Sequence, residues 1–270
     1  MPSIDAAVAE FRDQGYTIIP GQIDAAWMAG VRATFAAFRA ADRSTWGCTD
    51  LIERDPEATV HAITRPAVLE IVEQLIGPWI QLESLTLVDF PQAAGGPDVS
   101  GWHRDLFATY PQEGVYHRPL LLNAAIYLQD LTPDNGPLRV VPGSHRRAMG
   151  ITAEQRQAPH PEEQLVYPRA GDVVLFHNAL LHSGSANRTP ASRFFYCMTY
   201  NCAWLKHRGV YAGPNAQAVI ARARERGDVR LLRLLGIDDQ LVHRANSGFV
   251  EPDEVTWRRW LTEDRAALRS

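Results

Sequence analysis

The sequence predicts a mainly β protein, a sandwich or barrel with helices at either end. Three observations lead there. Between residues 79 and 202, short apolar runs with strand-like spacing are broken about every ten residues by Gly and Pro, as in sandwiches and barrels rather than in alternating βαβ units. Helical spacing is confined to residues 1–78 and 203–270. The chain of 270 residues is 46% hydrophobic and 21% charged, enough apolar content for a substantial core. No linker, internal repeat or low-complexity segment divides it, so we expect one domain over 1–270. Within it, 1–78 holds helices and a loop, 79–202 the β core, and 203–270 a helical extension.

The elements follow in order. Ser3 caps a short helix with Val8 and Phe11 on one face, stopped by Gly15. Tyr16 to Ile19 reads as a brief strand, and Asp24 caps a second helix with Trp27, Val31, Phe35 and Phe38 on its buried stripe. Residues 42 to 60 carry charges, Gly47 and Pro56 and read as a loop. Pro66 opens a third helix that ends at Gly77-Pro78. Trp79 to Phe90 suits a strand, 106–119 an irregular aromatic loop, and Leu120 to Leu131 a strand buried on both faces. Leu138 to Val141, Asp172 to Phe176 and Phe194 to Asn201 are further strands. Helical patterning returns in Ala216 to Arg226, Val229 to Leu235 and Glu254 to Leu268.

Composition excludes several function classes. A net charge of −4 gives no reason to expect nucleic acid or an anionic membrane as partner. Cys48, Cys197 and Cys202 make no paired framework, as in a reducing cytoplasm. No apolar run approaches membrane-spanning length, and the N-terminal residues lack the pattern of a signal peptide. A cytoplasmic monomer or homodimer acting on a small molecule is the expectation.

The chemistry centres on Trp102-His103-Arg104-Asp105. In extended chain, His103 and Asp105 project to one side and Arg104 to the other, so one imidazole and one carboxylate can grip a metal ion together. His182 would complete a 2-His-1-carboxylate face, which leaves adjacent positions open for small ligands and suits non-haem Fe(II). A lone His-x-Asp recurs by chance, so its surroundings decide.

Those surroundings are an ordered set. It comprises the His103 segment, Tyr127-Leu128-Gln129-Asp130 with Asn135-Gly136-Pro137-Leu138, Val141-Pro142-Gly143-Ser144-His145, and Gly171-Asp172-Val173-Val174-Leu175-Phe176 followed by His182 and Arg193. In this it resembles the phytanoyl-CoA dioxygenase family of Fe(II)- and 2-oxoglutarate-dependent oxygenases, over roughly residues 10 to 200. The resemblance implies a double-stranded β-helix, a cupin-like jelly roll, with metal held by His103, Asp105 and His182. It implies that Arg193 holds the distal carboxylate of the 2-oxoglutarate co-substrate. It also implies O2 as second co-substrate, stimulation by ascorbate, and oxidation of a C–H bond with release of succinate and carbon dioxide.

Physical reasoning agrees. Neutral imidazoles with one carboxylate offset part of the metal charge. A guanidinium binds a carboxylate through two parallel bonds. Residues 182 and 193 flank the turn Asn187-Arg188-Thr189-Pro190, so we expect a hairpin that sets their strands side by side. Asn123 is a polar residue on an apolar strand, and its partner is either 2-oxoglutarate or backbone; with Tyr127 on the same face, we assign it to the co-substrate.

His177 competes with His182 as the distal ligand, but the family pattern puts a variable residue at that place, and the register with Asn187 and Arg193 favours His182. His145 ends a Pro-Gly-Ser-His turn that the resemblance implies is structural. Asp at 105, where related halogenases carry Gly or Ala, disfavours halogenation. Two departures from the family pattern argue against a fatty acyl-CoA substrate. Leu87-Val88-Asp89-Phe90 lacks the lysine some members carry there, and Gly184 stands where they have serine.

The substrate rim would be formed by residues 42–60, 91–101 and 106–119, with Trp102, Phe107, Tyr110 and Tyr116 as its aromatics, Arg104, His117 and Arg118 nearby, and the C-terminal helices as lid. That rim suits a medium-sized, partly apolar metabolite bearing a polar or anionic group, and the resemblance, many of whose bacterial members act on natural-product intermediates, implies a substrate of that kind. The rivals are a cupin-like metalloenzyme that does not use 2-oxoglutarate, and a non-catalytic binding protein of the same fold.

Overall fold

In the computed structural model, residues 3–41, 47–105, 111–205, 211–237 and 251–267 are described. Ser3 accepts a hydrogen bond from the Ala6 amide and starts α1 (Ile4–Gln14), which Gly15 ends in the left-handed conformation. β1 (Tyr16–Ile19) follows, and then α2 (Ala25–Ala41), capped by Asp24 through the Trp27 amide. The stretch 42–60 departs from the expected loop. Residues 42–46 lie outside the described residues, but β2 (Gly47–Cys48), α3 (Leu51–Arg54) and α4 (Pro56–Ile63) are ordered elements. The reason is local: Asp55 accepts from the Ala58 amide and Pro56 takes the first helical position, so a helix starts there. α5 (Pro66–Leu75) completes the N-terminal helices.

The β core comprises β3 (Ile80–Phe90), β4 (Leu121–Tyr127), β5 (Leu138–Val140), β6 (Gln164–Val166), β7 (Val173–His177), β8 (His182–Gly184) and β9 (Arg193–Cys202). β2 and β6 leave no periodic mark in the sequence, because runs of two or three residues are too short to show a period. One antiparallel sheet runs β1-β7-β4-β9-β3-β2 and the other β6-β5-β8. Facing sheets of this kind form a double-stranded β-helix, a jelly roll.

Alternation along β9 shows why the sheets face each other. Tyr196, Met198 and Tyr200 turn outward into the helical layer, where Tyr196 donates to Thr59 (3.2 Å) and Tyr200 to the Ile63 carbonyl (3.1 Å). Phe194, on the same face, meets Phe35 edge-on. The intervening residues Arg193, Phe195, Cys197 and Thr199 turn inward. Between the sheets, Ala125, Tyr127, Val174 and Phe176 pack with Leu138, Val140, Val166 and Leu180. Burying side chains of this size contributes about 1.5–3 kcal/mol each for the larger apolar ones.

β8 and β9 do not form the expected hairpin; they lie in different sheets. Asn187 redirects the chain between them. Its carboxamide accepts from the Thr189 amide (3.0 Å) and donates to the carbonyls of Ala191 (2.7 Å) and Phe90 (2.9 Å), which ties the turn to the end of β3. Residues 182 and 193 therefore face across the sandwich interior instead of sharing a ladder.

At the C-terminal end, α6 (Pro214–Glu225) and α7 (Val229–Leu234) belong to the outer layer, not to a lid. The Glu53 carboxylate accepts from the Asn215 and Ala216 amides at the start of α6, and Arg233 on α7 donates to the Pro78 carbonyl. α8 (Asp253–Ala267) brings Trp257 against Gly77, where a Cβ would lie 2.2 Å from the indole, and under the Arg118 guanidinium at 4.1 Å. No helix among the described residues is long and apolar enough to cross a membrane.

Candidate metal centre

Residues 99–103 extend the smaller sheet along β8 without forming a full strand. They make two bridges, Val99 opposite Ser185 and His103 opposite His182. His103 and His182 exchange backbone N–H···O bonds of 3.0 Å each, and their rings stand 4.2 Å apart between centroids. Gly101 sits in the left-handed region (φ 139°), and its amide is held by Ser183 Oγ at 3.0 Å. The chain then carries Asp105 to the same side as His103. Asp105 lies 3.9 Å from His103 Nε2 and 3.6 Å from His182 Nε2, and the three candidate ligand atoms fall within 4.8 Å of one another.

Protonation follows from the neighbours. His103 Nδ1 lies 2.9 Å from the Gly101 carbonyl and His182 Nδ1 lies 3.0 Å from the Leu180 carbonyl. A carbonyl only accepts, so each Nδ1 carries a proton and each Nε2 is the atom turned toward the shared space. Burial, reinforced by the nearby His103, pushes the His182 pKa down, so it stays neutral at physiological pH. Two imidazole nitrogens and a carboxylate thus converge on one point. A divalent cation resolves that arrangement, and two nitrogens with one oxygen on a single side suit Fe(II). His182 is buried, whereas the His103 side chain is half-exposed, so the site opens on the His103 side.

Asn123 lies beside this centre. Its Nδ2 donates to Asp105 Oδ2 at 2.7 Å and its Oδ1 accepts from Thr199 Oγ1 at 2.7 Å. The carboxamide expected to meet the co-substrate is thus engaged by Asp105 and Thr199. Thr199 was not anticipated, and only its place opposite Asn123 in the sheet reveals it.

Arg193 begins β9 and is 3% exposed. One guanidinium nitrogen donates to the Gly136 carbonyl, Nε has no partner, and the group lies 4.2 Å over the Phe90 ring. Among the described residues no carboxylate pairs with it. A buried, unpaired cation is costly, so this pocket is built to receive an anion. Tyr127, also 3% exposed, has its phenol pushed up to about 12 by burial, with Arg193 acting against that shift, so it remains a neutral hydroxyl beside the guanidinium. At Gly184 a Cβ would lie 3.2 Å from Ser100 Oγ, which would have to give slightly, and in ordinary contact with Arg193 Nη2 at 3.9 Å.

The competing histidines are occupied elsewhere. His177 Nδ1 accepts from the Ala179 amide (2.9 Å), so Nε2 carries the proton and donates to the His117 carbonyl (3.0 Å). Burial takes its pKa down to about 3. His145 donates to the Arg12 carbonyl (3.0 Å) and is held down to about 4, again by burial.

Several expected rim residues are structural instead. Trp102 is 3% exposed and donates to the Ala158 carbonyl, packing with Val99, Val141 and Leu181. Arg104 bonds to backbone carbonyls, and Tyr116 lies edge-on to both His145 and His177. Arg118 covers Trp257. Phe107 and Tyr110 lie outside the described residues. Alternation along a strand gave the direction of Arg104 but not its partners, which lie about 40 and 75 residues away.

Comparison with known proteins gives the same picture. The phytanoyl-CoA dioxygenase (PhyH) family profile matches residues 11–195. L-proline trans-4-hydroxylase of Streptomyces griseoviridis is 31% identical over 187 residues, covering 59% of this chain and 67% of the relative. Ectoine dioxygenase of Sphingopyxis alaskensis is 31% identical over 123 residues, 37% of this chain and only 40% of the relative. The epimerase SnoN, solved with Fe3+, α-ketoglutarate and nogalamycin RO, superimposes with a TM-score of 0.60 at 24% identity, over 74% of this chain and 84% of its own. The likeness to SnoN shows the shared fold, and the family match over more than half of the chain decides membership: this protein belongs to the phytanoyl-CoA dioxygenase family of Fe(II)- and 2-oxoglutarate-dependent oxygenases.

Proposed function

We propose that this protein is a dioxygenase that uses Fe(II), O2 and 2-oxoglutarate to oxidise an unactivated C–H bond of a small metabolite, with hydroxylation as the default outcome. The observation that carries the reading is the pairing of two sites. A cluster of two imidazole nitrogens and a carboxylate lies at the mouth of the sandwich, and a buried guanidinium that meets no carboxylate among the described residues lies in the same interior. When bound there, Fe(II) with O2 and 2-oxoglutarate supplies oxidative decarboxylation to succinate and carbon dioxide, coupled to oxidation of the substrate.

The chain's own residues have distinct tasks. His103, Asp105 and His182 hold the metal. Arg193 binds the distal carboxylate of the keto acid by charge-assisted bonds, and Tyr127 offers a neutral hydroxyl beside it. Asn123 fixes the Asp105 carboxylate by a bond to one oxygen, which leaves the other for metal. Phe90, Phe195 and Phe176 line this interior with rings.

The relatives act on proline and ectoine, and SnoN holds nogalamycin RO. We take the substrate to be a small molecule in natural-product metabolism. The helical segments on both sides of the core serve one catalytic domain. Its compartment is the cytoplasm, in keeping with three unpaired cysteines.

Succinate release tests this. Purified protein supplied with Fe(II), ascorbate, 2-oxoglutarate and a metabolite panel is expected to form succinate, and His103→Ala and Asp105→Ala are expected to form none. Succinate formed equally by those variants overturns the reading.

A further inference from the structure

We infer that Arg104, the residue between the two ligands His103 and Asp105, is a positioning residue that sets the third ligand, His182, before any metal arrives. The inference rests on the metal-binding reading above and extends it to a side chain that points away from the metal.

The connection can be followed bond by bond. Arg104 Nη1 donates to the Ser144 carbonyl at 2.8 Å and also to the Ala179 carbonyl, while Nη2 reaches the Arg147 carbonyl at 3.3 Å. Ser144 Oγ accepts from the Leu181 amide at 2.8 Å. The Leu181 carbonyl in turn accepts from the Val141 amide at 2.9 Å. Ala179 is therefore held at its N–H by His177 Nδ1 and at its carbonyl by Arg104. Leu180, between these fixed residues, supplies the carbonyl that holds His182 Nδ1. One guanidinium thus touches the segment that orients His182 both directly, at Ala179, and through Ser144.

Physical reasoning explains why such a link is needed. Residues 177–182 run through a turn, with Leu180 N–H bonded to the His177 carbonyl, and not through a continuous ladder. The ladder bonds of β8 begin only at His182. The bridges of Val99 to Ser185 and His103 to His182, with the Ser100 N–H on the Gly184 carbonyl, fix the register of the ligand-bearing segments from His182 onward, and Arg104 adds a tie on the other side of His182, to the turn at 177–181. A planar group with several fixed donors can reach three carbonyls at once, which an ammonium cannot do in the same geometry.

The test is Co(II) binding to the full chain without 2-oxoglutarate, followed by visible absorption, for wild type, Arg104→Lys and Arg104→Ala. The chelated proteins are melted in parallel. We expect one Co(II) to bind wild type, and both variants to bind it roughly 10- to 100-fold more weakly with altered ligand-field bands, as outer-shell substitutions do. We expect millimolar guanidinium to restore part of the affinity of Arg104→Ala without changing its melting temperature. Unchanged affinity and bands in both variants overturn the inference, as does weakening that guanidinium does not relieve. A lysine variant that fails to fold makes Arg104 a folding residue and also overturns it. Absence of Co(II) binding by wild type refutes the metal-site reading itself.

Discussion

Asn123 and Asp105 are joined by a 2.7 Å hydrogen bond from a strand of the larger sheet to the segment that extends the smaller one. Through Thr199, which donates to the same carboxamide, the orientation of Asp105 depends on the pairing of β4 with β9. Asn123→Ala removes the donor and leaves the fold's apolar contacts in place. The expected outcome is metal affinity lowered about 10- to 100-fold, checked by titration with Fe(II) under anaerobic conditions. Affinity equal to wild type would show that Asp105 is held without Asn123.

Arg193 gives a second prediction. Its guanidinium is buried with one backbone partner and an unpartnered Nε. Arg193→Met retains much of the volume and removes the charge. Losing one half of a buried charge pair costs about 2 kcal/mol or more, so the KM for 2-oxoglutarate is expected to rise on the order of thirtyfold. Steady-state succinate release gives that KM, and a value unchanged from wild type would favour a family fold that does not use this co-substrate.

Acid stability follows from His145 and His177. Burial lowers their folded-state values to about 4 and about 3, against an ordinary 6.5. The unfolded chain therefore binds more protons between those limits. Their contribution is fully present above pH 6.5 and is lost as pH falls toward 4 and then 3. At about 1.4 kcal/mol per unit of difference, each contributes at most about 3 to 5 kcal/mol across that window. Urea unfolding at pH 7 and pH 5 measures it, and His145→Gln is expected to flatten the dependence. Equal midpoints at the two pH values would contradict it.

Gly171 closes the connection from the N-terminal strand to the core. Its φ is +84°, its carbonyl accepts from the Gln22 and Ile23 amides, and an added Cβ would lie 2.2 Å from the Ile23 carbonyl oxygen. Gly171→Ala combines left-handed backbone strain, about 1–2 kcal/mol, with displacement of that carbonyl. A loss of about 2 kcal/mol or more is expected by chemical denaturation, with the protein still able to bind metal. A variant as stable as wild type would mean that the turn relaxes freely.

The sequence by itself determined the kinds of element and the chemistry of the centre. Periodicity locates the longer strands between 80 and 202 and the longer helices around them, because burial of one face imposes its repeat on neighbouring residues. His103 and Asp105 were legible together, since two residues apart in extended chain means one side. The Asp-Pro helix start at 55–56 was equally local, and it was masked by the charges around it. Tertiary structure alone decided the rest. It settled that β8 and β9 face one another across the sandwich, because Asn187 bonds to Phe90 nearly a hundred residues earlier. It also settled that Asn123 holds Asp105, that His177 spends both ring nitrogens on backbone, and that Arg104 and Trp102 serve the interior. Apart from the His177 Nδ1 contact with the Ala179 amide two residues on, these are side-chain hydrogen bonds between residues far apart in the chain; no repeat in the sequence encodes them, and they form only once the sheets have brought their partners within 3 Å or so.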